Sequence, residues 1–176
     1  MSDARRLSDV EAEGEPEAEF HQGIAQRMPR KGVAGGALIR NEDGLILFLE
    51  PTYKPTLDIP GGMAEQDESP LEACRREVRE EIGLELEIGP LLVVDWVPAI
   101  GVWFDAVNFV FDGGVLGAEQ LEQLRVDPVE ARGSEFLTLE QASTRLRPSM
   151  VRRLAAAHEA VSRGATQYTE FGRLRG

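Results

Sequence analysis

A single cysteine, Cys74, stands in the 176-residue sequence. It rules out an intramolecular disulfide and a CxxC metal site, and it suits a reducing, cytoplasmic setting. There are two histidines, His21 and His158; no ligand spacing relates them, and both read as surface residues. No run of about 18 apolar residues occurs, so no segment is expected to span a membrane. The N-terminus MSDARRLSDVEAEGEPEAEF lacks the apolar stretch of a secretory signal. Lysines and arginines number 19 against 31 acids, and the net charge of −12 comes with no basic cluster. Such a chain should repel nucleic-acid backbone, so no nucleic-acid partner is expected.

What is present suits one domain with a leader and a tail. The apolar fraction of 42% is enough for a core. Residues 1–20 hold seven acids and two arginines. Their alternating EAEGEPEAE offers almost nothing to bury, so residues 1–22 are expected to be a disordered acidic leader. Residues 33–40 and 45–50 are apolar runs joined by the turn signal NEDG and read as a hairpin. Residues 84–98 and 102–111 read as two further strands, SEFLTL as a short one. A helix is expected after Thr138 and another from Pro148 to Gly164. Separate helices and antiparallel strand signals point to an α+β or mixed α/β sandwich. The domain is placed at 31–163, with 164–176 as a C-terminal tail.

One helix carries most of the chemistry. Ser69 is a good N-cap, Pro70 suits the first helical position and Glu72 completes a capping box. Gly83 is placed to end the helix. Leu71, Cys74, Val78 and Ile82 share one face, which should meet the core. Glu77, Glu80 and Glu81 fall on an adjacent arc, where their i,i+3 and i,i+4 spacing makes them repel. They form either a solvated acidic face neutralised by Arg75, Arg76 and Arg79, or a carboxylate group suited to a hard divalent cation.

The segment Gly62, Glu68, Arg76-Glu77, Val78, Arg79, Glu80-Glu81, Ile82, Gly83, Leu84 resembles the signature of the Nudix hydrolase family at every specified position. The flanking Ile59-Pro60-Gly61-Gly62 agrees with an apolar-Pro-Gly-Gly lead-in common in that family. The resemblance implies an α/β/α sandwich with a mixed central sheet. It implies hydrolysis of a diphosphate bond in a nucleoside diphosphate linked to another moiety, with Mg²⁺ or Mn²⁺. By resemblance, Glu80 and Glu81 are the main metal ligands, Glu77 a third ligand or a catalytic base, and the Gly61 carbonyl a backbone ligand. Arg76 orients the catalytic glutamate and Glu68 ties the loop to the helix. Gly62 and Gly83 shape the motif. A later-loop glutamate serves many members as general base; Glu130 fits that placement best, with Asp127 and Glu135 competing.

Substrate marks are weaker. Tyr53 and Lys54 precede the signature, where a base or phosphate would reach them. Pro98 stands near a proline position seen in members that cleave ADP-ribose. Leu57 lies where many relatives carry tryptophan. Trp96 and Trp103 flank Pro98 and suit either stacking on a base or core packing. An ADP-ribose-like substrate is favoured. The alternatives are a nucleoside triphosphate, including an oxidised one, and a nucleotide-binding module without catalysis. An isomerase is disfavoured because Cys74 lies on the core face. Many relatives are dimers, so a homodimer is compatible with the resemblance.

Overall fold

A computed structural model describes residues 3–15 and 18–175. The chain divides into two units, Met1–Arg30 and Lys31–Gly176. The first holds α1 (Asp3–Ala12) and α2 (Ile24–Arg27). Composition argued against ordered structure in the leader, yet α1 forms. Its DARRLSDVEA run is rich in good helix formers and free of glycine and proline. A helix of about ten residues is marginal alone, so its acidity and its helicity do not conflict. The leader residues Met1, Ser2, Pro16 and Glu17 lie outside the described residues, as does Gly176 of the tail.

The second unit is built on one mixed sheet. β1 (Gly32–Asn41) and β2 (Ile46–Pro51) form the expected hairpin. Its turn closes through the Asn41 side chain, whose Oδ1 accepts the Leu45 N–H at 2.8 Å. β3 (Gly61–Met63) lies antiparallel to the first half of β1, pairing Gly35 with Gly62 and Gly36 with Gly61. α3 (Pro70–Ile82) follows, with both halves of the capping box made and Gly83 in the left-handed conformation that ends it. Then come β4 (Leu91–Val97), β5 (Ala106–Leu116), α4 (Ala118–Gln123) and β6 (Ala131–Leu137). α5 (Leu139–Ala142), capped by Thr138, runs into a 3₁₀ turn; α6 (Pro148–Arg163) follows, ended by Gly164.

The strand order is β6-β2-β1-β5-β4, with β3 beside β1. Side chains alternate across the sheet and meet a helix on each face. Ala37, Ile39, Leu47 and Leu49 pack with Cys74, Val78 and Ile82 of α3. Leu38, Ile46 and Phe48 pack with Leu154, Ala157 and Ala160 of α6. The result is the expected helix–sheet–helix sandwich.

Two boundaries differ from the sequence expectation. The strand expected over 84–98 starts only at Leu91. The LELE alternation before it has strand periodicity, but Leu84 and Ile88 are buried in the α3-side cluster without ladder pairing. The next strand starts at Ala106, because Ile100 and Trp103 bond to each other across a turn at Gly101. That turn leaves Val102, Trp103 and Phe104 exposed, so Trp103 is not a core residue.

The tail expected over 164–176 is instead part of the sheet. β7 (Gln167–Glu170) runs parallel to β4, and β8 (Arg173–Leu174) pairs with β7. A buried polar group explains this. Asp95 on β4 is fully buried. Its carboxylate accepts from Arg153 Nε of α6 at 2.7 Å, Thr169 Oγ1 of β7 at 2.6 Å and the Gly172 N–H at 2.8 Å. No hydrophobic pattern in four short residues signals such an anchor.

Candidate active site

The site is assembled where α3 crosses the β1–β3 pair. β3 turns sharply at Gly61, with φ of 148°, a conformation that side chains rarely adopt. At Gly62 the Glu77 carboxylate occupies the place a Cβ would take, so a side chain there would push Glu77 aside. These two glycines bring the strand backbone directly under the acidic arc of the helix.

Arg76 is the organising cation. Its Nε and Nη2 grip Glu68 in a two-pronged bond, both at 2.9 Å. Nη1 donates to Glu77 at 2.8 Å and to Glu80 at 3.1 Å, and Nη2 also reaches the Met63 carbonyl at 3.1 Å. One guanidinium therefore ties loop, strand and helix together, the geometry for which arginine is suited. The hydrogen bond from Arg76 holds the Glu68 carboxyl below its ordinary value, and Glu68 in turn holds Arg76 above its own.

Glu81 is the electrostatically unusual member. It accepts the Gly61 N–H at 2.8 Å. Burial pushes its carboxyl up to about 8; the Gly61 bond opposes this, while the charges of Glu77, Asp58 and Glu130 add to it. This places Glu130 and Asp58 within electrostatic reach of Glu81. Glu130 is brought there by its loop: the Asp127 N–H bonds the Glu81 carbonyl at 3.0 Å, and Glu130 N–H bonds Asp127. The competing acids are otherwise engaged. Asp127 accepts the Val129 N–H and shapes the turn, and Glu135 pairs with Arg145 at 2.8 Å.

The same loop holds the Tyr53 region. The Thr52 N–H bonds the Glu130 carbonyl at 2.9 Å and its hydroxyl the Val129 carbonyl at 2.8 Å. Tyr53 is 71% exposed. Partial desolvation raises its phenol, Lys54 opposes, and Asp58, Glu81 and Glu130 add. Tyr53, Lys54, Glu81 and Glu130 are thus neighbours. Pro98 is not brought to them; it follows β4, which β5 separates from β1. Asp58 went unnoticed in the sequence. Its one signal is an acid immediately ahead of Ile59-Pro60-Gly61. Cys74 is fully buried, and burial pushes its thiol up to about 12, so it is inert.

Among the described residues no three of these carboxylates already converge as a cation cage. Arg76 stands between Glu77 and Glu80, and Glu81 turns to Gly61. The donors nevertheless fit a hard divalent cation, since all are oxygens and they gather around a carboxyl that burial and like charges destabilise when ionised. A pH dependence follows for the metal-free chain. An acid raised on folding contributes full stability below its ordinary value of 4.5 and loses it as pH climbs through about 8. Urea unfolding in chelator should therefore show stability falling across that window, by on the order of a few kcal/mol. Glu81→Gln should flatten the slope; an unchanged slope would count against this account.

The family model for the NUDIX domain matches residues 30–157, and the chain belongs to the Nudix family. It is 35% identical over 63 residues to a MutT-like protein of Streptomyces ambofaciens, covering 36% of this chain and 41% of that protein. It is 41% identical over 49 residues to an RNA pyrophosphohydrolase of Halorhodospira halophila, covering 28% of this chain and 27% of that one. Both matches thus span less than half of those relatives' length. The crystal structure of a MutT protein from Methanosarcina mazei Go1 superposes with a TM-score of 0.61 at 26% identity, covering 79% of this chain and 100% of that one. Among the described residues no helix is long and apolar enough to cross a membrane.

Proposed function

We propose that this chain is a Mg²⁺- or Mn²⁺-dependent hydrolase of a diphosphate bond in a nucleoside diphosphate linked to a further moiety. The observation that carries this is the Glu77–Glu80–Glu81 arc held over Gly61 and Gly62 by Arg76. Glu80 and Glu81, with Glu77 and the Gly61 carbonyl, would hold the cation. When bound, it would offset substrate charge, polarise the phosphoryl group and acidify a water. The protein's own groups do the rest. Arg76 fixes Glu77 and Glu80 while Glu68 fixes Arg76. Glu130, beside Glu81, is the group assigned to take the proton of the attacking water. Tyr53 offers an exposed ring for a base and Lys54 a charge for phosphate. Phosphorus NMR of a nucleotide panel with and without Mg²⁺ tests the reading. Cleavage that needs the cation supports it; binding without cleavage would make the protein a nucleotide sensor.

For the substrate, ADP-ribose is expected to be cleaved better than any nucleoside triphosphate. The strongly acidic chain, with a net charge of −12, disfavours extra phosphate charge. Steady-state kinetics decide: a higher specificity constant for a triphosphate, oxidised ones included, would move the assignment to nucleotide-pool cleansing.

The leader is assigned no part in the reaction. Removing residues 1–20 should leave turnover and melting temperature within error, because their composition gives them little to bury. A large drop in either would show that the leader docks.

A further inference from the structure

We propose, resting on the hydrolase reading above, that Asp58 and Lys54 form a charge gate that limits how many phosphates the site accepts. Lys54 Nζ is ion-paired with the Asp58 carboxylate and lies 5.4 Å from the centroid of the Tyr53 ring. The two partners are not equally fixed. Asp58 is bound through its main chain to Leu49 in both directions, at 2.8 and 3.1 Å, and its Oδ1 accepts the Ile59 N–H at 3.0 Å. Lys54 is a long side chain on the intervening loop, held by Asp58 and the Tyr53 ring. Both side chains are about a quarter exposed, at 26% and 28%. The pair is part-buried, and a phosphate that takes the place of the Asp58 carboxylate at Lys54 exchanges one anionic partner for another.

Around the pair the charge is one-sided. The charges of Asp58 and Glu130 reach Glu81, those of all three acids reach Tyr53, and Lys54 is ion-paired with Asp58 beside the Tyr53 ring. A phosphate reaching the site therefore draws Lys54 off Asp58. Asp58 stays where its backbone bonds hold it and loses its cation partner beside the phosphate chain. It repels each further negative charge. One lysine then serves a diphosphate adequately, whereas a triphosphate meets the exposed Asp58 with its additional charge. The gate thus selects against longer phosphate chains by leaving a like charge in their path.

Methylene-bridged, non-hydrolysable analogues of a nucleoside diphosphate and triphosphate, titrated calorimetrically in Mg²⁺ against the full chain, test this directly. Asp58→Asn keeps an acceptor for the Ile59 N–H and removes the charge. It should shift the ratio of triphosphate to diphosphate affinity towards triphosphate by about fivefold. Asp58→Glu, which keeps the charge, should leave the ratio near wild type. A merely structural role for Asp58 would make both variants bind worse without moving the ratio. Lys54→Met should weaken both analogues, and Lys54→Arg should restore them. The Asp58→Asn shift should shrink at high salt, because a partly exposed charge is screened. An unmoved ratio in Asp58→Asn, or a move towards diphosphate, overturns the gate while leaving the hydrolase reading intact. If the wild-type chain binds both analogues but cleaves neither natural counterpart, the hydrolase reading fails and the ratio still decides the gate. Binding of neither analogue overturns both.

Discussion

Glu81→Gln should lower divalent-dependent turnover by at least about a hundredfold and leave the chain folded. The glutamine is nearly isosteric, and its carbonyl oxygen accepts the Gly61 N–H that Glu81 accepts at 2.8 Å. What it removes is the charge. In the metal-free chain that charge is a burden, because burial and three neighbouring acids oppose it. The variant should therefore melt at the same temperature or higher in chelator. With Mg²⁺ the order reverses: the wild type should gain stability from the cation and the variant much less. The combination separates a ligand from a scaffold residue, whose loss would lower activity and stability together. Near wild-type turnover in Mg²⁺ would remove Glu81 from the ligand set. Glu80→Gln should show the same activity loss with a smaller effect on melting, since Glu80 is 52% exposed.

The second large effect is expected far from the chemistry. Asp95→Ala should cost about 3–5 kcal/mol, because it strips the partner from a buried guanidinium and leaves Thr169 Oγ1 and the Gly172 N–H without their acceptor. Arg153 is 8% exposed and cannot turn to water without moving α6. Asp95→Asn should be nearly as damaging, since its amide presents hydrogens to Arg153 or to Thr169 and Gly172. For a chain of this size the loss corresponds to a melting shift on the order of ten degrees. Urea unfolding of the folded variant, followed by tryptophan fluorescence, measures it. A loss below about 1 kcal/mol would show that β7 and α6 hold β4 by apolar packing alone.

The parts of this architecture that were legible in sequence are those governed by local rules. The α3 helix announced both of its ends, through the Ser69–Glu72 box and Gly83, and its buried face through the spacing of Cys74, Val78 and Ile82. The β1–β2 hairpin was marked by NEDG between apolar runs. The acidic arc was visible because helical periodicity alone sets it. The parts that were not legible depend on distant partners. β3 is three residues long and has glycines where a pattern would need side chains. β7 is fixed by Asp95, whose partners lie 58 to 77 residues further along the chain. Asp58 belongs to the site only because the backbone returns it to the end of β2 beside Leu49. LELEIG had the alternation of a strand but no neighbour to pair with. In each case the deciding interaction is non-local, and single-residue propensity is silent about it.

The parallel pairing of β1 with β5 also sets the order in which the chain can fold during synthesis. Gly32 is matched to Ala106 and Asn41 to Leu116. β1 therefore waits for its central neighbour while the whole of α3 and β4 is made. At about 5–20 residues per second, the wait lasts several seconds. Until then a nascent β1–β2 hairpin presents an unpaired edge, and β4 gains its parallel neighbour only once Gln167–Glu170 has left the ribosome. A ribosome stalled before residue 106 should thus hold a protease-sensitive hairpin, and resistance should appear in two steps, after β5 and after β7 emerge.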